Sequence, residues 1–194
     1  MQNLHLIALA GIFGLGNMGL LHADSVDSQI TESKAREAKT AKLAKLKVRE
    51  SSAQELTKAG SLGSFTGDSK IFSGKVKVSA MFKANAWRAF SSGLVEFDKG
   101  ARSAWHTHPA GQTLIVTESE ILTGTADGKA WLAKKGDVIS CPPNIKHFHG
   151  ASTDTKGVHI ALTGVKDTQN VKWLELVSDE EYKEAMQKAR KESN

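Results

Sequence analysis

Histidines 106, 108, 147 and 149 form two His-x-His pairs in this 194-residue chain, and neutral imidazole is the commonest metal ligand among side chains. Alternate residues of a strand face the same way, so His106-Thr107-His108 presents two imidazoles side by side. That arrangement can grip one cation from a single strand. Alone it is weak evidence, because exposed and core His pairs also arise by chance. His149 follows His147 by two residues and faces the same side of an extended chain. Three roles are open to it: general base, outer partner of a ligand, or a further ligand. His159, Ala161 and Thr163 share one strand face, where His159 reads either as an inward polar group or as a core histidine.

The surrounding spacing is more specific. Gly100, His106, His108 and Gln112 fall as G-x5-H-x-H-x3-Q, and Gly136, Pro142, Asn144 and His147 fall as G-x5-P-x-N-x2-H. Together these blocks resemble the two motifs of the cupin family, G-x5-H-x-H-x3-E and G-x5-P-x-G-x2-H. Two departures stand out. Gln112 takes the place of the usual Glu, and Asn144 that of a turn Gly; Asn tolerates the left-handed conformation such a turn needs.

The segment GARSAWHTHPAGQTLIVT, with KHFHGAS further on, closely resembles a subgroup of small single-domain cupins that includes bacterial (R)-mandelonitrile lyases. The likeness runs from about Phe72 to Asp179-Glu180-Glu181-Tyr182. It implies an all-β fold, the double-stranded β-helix or jelly-roll barrel. It also implies a manganese-type centre held by His106, His108, Gln112 and His147, with His149 as general base. Gly93, Val95 and Thr163 would line the pocket, with His159 beside Thr163. Three imidazoles and an amide are all neutral, so the ion keeps its full double charge and acts as a strong Lewis acid. Such a set suits six-coordinate Mn²⁺ or Fe²⁺ with open positions, and the sequence does not separate these from Zn²⁺ or Ni²⁺.

Three classes of function fit. A lyase would cleave a C–C bond beside a metal-held hydroxyl oxygen, with His149 removing the proton and cyanide leaving from a cyanohydrin. An iron or manganese dioxygenase or decarboxylase would use two neighbouring open positions. A non-catalytic small-ligand binder needs neither, and fold does not decide among them. The reading adopted is an exported, metal-dependent enzyme acting on a small oxygenated organic molecule, with the lyase preferred of the three. The resemblance also implies a homodimer or homotetramer.

The elements that must position these residues are short strands. Alternating runs cover Lys75 to Phe82, Ala89 to Phe97, Gln112 to Thr117, Ile121 to Ala126, Lys129 to Ala133, Val138 to Cys141 and Val158 to Thr163. Asp98-Lys99-Gly100, Asp127-Gly128 and Lys135-Gly136-Asp137 divide them. A polar helix starts near Ser178, which caps it ahead of three acids. Trp87, Trp105, Trp131 and Trp173 are read as core or subunit-contact residues. Cys141, the single cysteine, is read as an inert buried thiol and excludes any intramolecular disulfide.

Ahead of this domain, placed at 61–194, lie two different segments. Residues 24–60 form a charged arm or spacer. Its stretch 28 to 58, rich in Ala, Lys and Glu and free of Gly and Pro, predicts a solvated helix. Residues 1–23 carry no Lys, Arg, Asp or Glu and include the apolar run Leu6 to Gly16, too short to span a bilayer. They read as an export signal cleaved before Asp24, which places the mature protein in the periplasm or outside the cell without stable membrane insertion. The formal charge of +5 is spread along the chain with no interleaved aromatics, which argues against nucleic acid as a partner and leaves a small-molecule substrate.

Overall fold

The structure is a computed structural model that describes residues 31–40 and 53–192. The chain divides into two units, Met1–Ala53 and Gln54–Asn194. In the first, residues 31–40 form a helix, α1, exposed along its whole length. The export signal expected at 1–23 lies outside the described residues. The helix predicted to run to residue 58 does not do so, since 54–58 are irregular and Leu56 is 85% exposed. Good helix formers need a packed face to hold a short helix in water, and nothing among the described residues covers this segment.

The second unit is the expected all-β barrel: β1 (Ser64–Thr66), β2 (Phe72–Ser73), β3 (Val76–Phe82), β4 (Phe90–Phe97), β5 (Arg102–Ser103), β6 (His106–Thr107), β7 (Gln112–Thr125), β8 (Ala130–Lys134), β9 (Val138–Cys141), β10 (His147–Ala151), β11 (Gly157–Gly164) and β12 (Lys172–Trp173). Every pairing is antiparallel. One sheet runs β1-β3-β4-β11-β7, with β9 on the far edge of β7. The other packs β8-β7-β10, and the free edge of β10 pairs with β6, then β12, at its start and with β5, then β2, near its end.

β7 joins the two sheets. Two strands were expected where this single 14-residue strand runs. Its first half pairs with β9 and β11, its second with β8 and β10, and Ser119 at the changeover has φ 54°. The polar stretch between the two expected strands is a bend at Ser119 that lets one strand serve both sheets.

Side chains pointing between the sheets make the core, including Phe72, Val76, Phe97, Leu114 and Ile121. A second cluster sits under the closing helix α2 (Asp179–Glu192), whose Tyr182 and Met186 pack with Trp105, Leu122 and Phe148. The expected cap is present and reciprocal: Glu181 N–H donates to Ser178 Oγ at 3.1 Å, and Ser178 N–H donates to Glu181 Oε2 at 2.8 Å. Arg102, buried at the start of the site loop, donates from Nε and Nη2 to Val177 O and pairs with Asp179, tying helix to barrel. Of the tryptophans, Trp105 is buried and Trp173 half-buried, while Trp87 and Trp131 are exposed. No helix among the described residues is long and apolar enough to cross a membrane.

Candidate metal centre

Strand pairing brings the two His-x-His segments together. His106 on β6 sits opposite His147 on β10, and their rings lie 4.2 Å apart. β6 is only His106–Thr107, so the predicted strand ends before His108; its ring is nevertheless 4.9 Å from that of His106 and 5.4 Å from that of His147. Local backbone features make this possible. Asn144 takes φ 64°, as its turn position required, and delivers the chain into β10. Gly150, next to His149, lies where a Cβ would collide with Ala101 O and Arg102 Cα, so β10 reaches β5 only because this position has no side chain.

The hydrogen bonds fix which nitrogen each ring offers. Nδ1 of His106 faces Ala104 O at 2.9 Å, Nδ1 of His147 faces Ile145 O at 2.9 Å, and Nδ1 of His108 faces Asn170 O at 2.5 Å. A carbonyl oxygen only accepts, so each Nδ1 carries the proton and each Nε2 keeps its lone pair. His108 Nε2 is buried and has no hydrogen-bond partner among the described residues. Gln112 completes the group: its Oε1 is 3.4 Å from His147 Nε2, while its Nε2 donates to Thr163 Oγ1 at 3.1 Å.

Burial sets the charge state. His106 is held well below its ordinary pKa by loss of water and then by His147. Burial likewise lowers His108, and takes His147 down to about 4. The rings are neutral at neutral pH, as metal ligands must be. Cys141, whose Sγ is 3.2 Å from His147 Nδ1, is half-buried and not enclosed as expected; burial still pushes its thiol up to about 11, so it stays protonated.

His149 is buried with its ring 5.1 Å from His106 and 6.0 Å from His147. His106, His147 and His149 each offer a nitrogen, all within 4.8 Å of one another, so these three alone could hold an ion. His149 Nδ1 lies 3.1 Å from His159 Nε2, which leaves His149 Nε2 as the nitrogen on the cavity side. Burial, followed by His159, keeps His149 well below its ordinary pKa.

A cavity of about 520 Å³ opens onto this group. Gly93, Val95 and Thr163 line it, together with His106, His108, Gln112 and His149. His159 does not: it is fully buried behind the His149 ring, and burial takes it down to about 3. Alternation along β11 puts its side chain inward with Ala161 and Thr163, but His149 stands between it and the open space. Sequence reasoning also missed Asn170, whose carbonyl orients His108, and Trp173, whose ring lies 4.9 Å from His106. Asn170 lies in the connection after β11 and Trp173 on β12, and neither carries a spacing signal.

Comparison with known proteins agrees with this architecture. Residues 93–163 match the cupin domain. The chain is 38% identical over 129 residues to an (R)-mandelonitrile lyase of Granulicella tundricola, covering 66% of this chain and 98% of that protein. Among solved structures it resembles a cupin-like protein from Thermotoga maritima, with 36% identity, a TM-score of 0.60, and coverage of 68% of this chain and 97% of that one. The polyketide cyclase RemF from Streptomyces resistomycificus shares the fold at 12% identity and TM-score 0.53, covering 69% of this chain and 99% of that one.

Proposed function

Since the chain belongs to the cupin family, we propose that it is a metal-dependent lyase acting on a small oxygenated organic molecule, of the kind its Granulicella relative is named for. One observation carries the reading: three buried imidazoles have their Nδ1–H groups spent on backbone carbonyls, so three lone pairs converge beside the Gln112 amide. An orphaned buried Nε2 on His108 fits a site built around a cation. The ligand set proposed is His106, His108, Gln112 and His147, and Mn²⁺ is the ion proposed, on the resemblance to the manganese-type subgroup of small cupins. Bound there, the ion supplies Lewis acidity to a substrate oxygen.

The chain's own residues do the rest. His149 Nε2 faces the cavity and takes a proton from the substrate hydroxyl, provided that Nδ1 keeps its own proton by donating to His159 Nε2. Its depressed pKa keeps the ring in the unprotonated form a base requires. Val78, Phe82, Val95 and Ala161 enclose the carbon body and exclude water. In a cyanohydrin the resulting C–C cleavage releases an aldehyde and cyanide, with the proton left on His149. The deciding experiment loads the protein with Mn²⁺, follows aldehyde release from mandelonitrile, and repeats the assay without oxygen. Turnover that persists anaerobically supports a lyase; turnover that stops there supports an oxygenase instead.

The uncharged apolar start of the chain supports export to the periplasm or beyond. Amino-terminal sequencing of protein recovered from cells should begin at or near Asp24, and an intact Met1 would overturn this.

A further inference from the structure

We propose that the cavity's ligand is a small organic anion, a carboxylate on an apolar body. This deepens the metal-site reading and rests on it. The argument is one of charge. The wall contains Lys83 and no Asp or Glu. Its donors toward an ion are neutral by their chemistry, because an imidazole ligates only in its unprotonated form and Gln112 is an amide. A divalent ion bound there finds no protein charge to offset it, so two positive charges stand at the floor and one at the rim.

The rim strengthens the imbalance. Residues 83–88 form a turn held by mutual backbone hydrogen bonds between Asn85 and Arg88, with Asn85 Oδ1 accepting from Arg88 N–H at 2.9 Å. Arg88 donates from Nη2 to Lys83 O at 2.9 Å, and its guanidinium lies 4.0 Å over the ring of Phe82, a wall residue. The turn therefore carries two cations and no acid, with Lys83 on the cavity wall and Arg88 behind the wall residue Phe82. Among the described residues neither Lys83 nor Arg88 forms an ion pair, whereas Lys77, Lys129, Lys146 and Lys156 each do. Positive potential in a narrow, low-dielectric cleft selects an anion over a neutral isostere of the same shape. The rest of the wall, Ile71, Val78, Phe82, Val95 and Trp173, is apolar or aromatic and sets the body of the ligand.

The test titrates benzoate and phenylacetate, and their neutral isosteres benzamide and phenylacetamide, into the Mn²⁺-loaded full chain by calorimetry, with bound metal measured on the same sample. The acids should bind about tenfold or more tighter than the amides, a difference of about 1.4 kcal/mol. Lys83→Gln, at an exposed position, should narrow that preference about two- to fivefold without changing metal content. Equal or tighter binding of the amides, or no binding of either series, overturns the inference. Protein that holds the ion yet prefers the amides sinks the anion and keeps the metal site. Protein that takes up no ion yet prefers the acids, with the preference narrowed by Lys83→Gln, does the reverse.

Discussion

Gln112 Nε2 donates to Thr163 Oγ1 across 3.1 Å, and the same amide turns its oxygen toward His147 Nε2 at 3.4 Å. Only the oxygen of an amide can ligate a cation, so the hydroxyl on β11 decides whether Gln112 serves as a ligand at all. Thr163→Val removes the acceptor while keeping the shape, and should weaken Mn²⁺ binding about tenfold or more, the usual effect of losing an outer partner. Thr163→Ser keeps the hydroxyl and should restore most of it. Metal titration of the three proteins checks this; equal affinity in the valine variant would show that the amide needs no such support.

Removing His108 tests the ligand set directly. His108→Ala should abolish most metal uptake while leaving the barrel folded, because Phe97, Leu114 and Ile121 hold the core without the ion. Metal analysis and a thermal melt on the same sample read both halves. Full occupancy would mean that His106, His147 and His149 suffice, as their mutual distances allow.

The base is assigned by a different variant. His149→Ala should lower turnover by about 10²–10⁴-fold, the range for a lost general base, with metal content nearly unchanged. An emptied site would make His149 a ligand. A modest loss of turnover in a loaded variant would move the proton transfer elsewhere.

Acid should destabilise the metal-free protein. In the unfolded chain these histidines titrate near 6.5, but the fold lowers His147 to about 4 and His159 to about 3. Between those values the unfolded state binds more protons, so stability is complete above about 6.5 and is lost as pH falls through the window. Each group contributes at most about 1.4 kcal/mol per pH unit. Urea midpoints of chelator-treated protein at pH 7.5, 6 and 5 should fall in that order; a flat series would contradict the buried neutral cluster.

The sequence was most legible where chemistry and backbone make the same demand. Asn144 had to be a turn residue and takes φ 64°, and the His147–His149 segment is extended as the pairing of its imidazoles required. Legibility failed where partners lie far along the chain. Asn170 meets His108 sixty-two residues away, and no local pattern reports that contact. His159 shows a third limit: alternation gave its face correctly, yet only the position of the His149 ring determines that it backs the site and does not line it. The helix predicted over 28 to 58 is present at 31–40 and absent at 54–58, where no described residue gives it a face to pack on.

One strand, β7, is hydrogen-bonded into both sheets, with Gln112 at its start and Thr125 paired to His147 at its end. The two sheets therefore cannot swing apart like jaws without tearing ladders on both halves of that strand. The turn at residues 83–88 lies outside both ladders, between β3 and β4, and brings Lys83 to the cavity wall, so it can shift without breaking them. Stiffening that turn should slow ligand exchange while leaving the histidines at the floor of the cavity where they are.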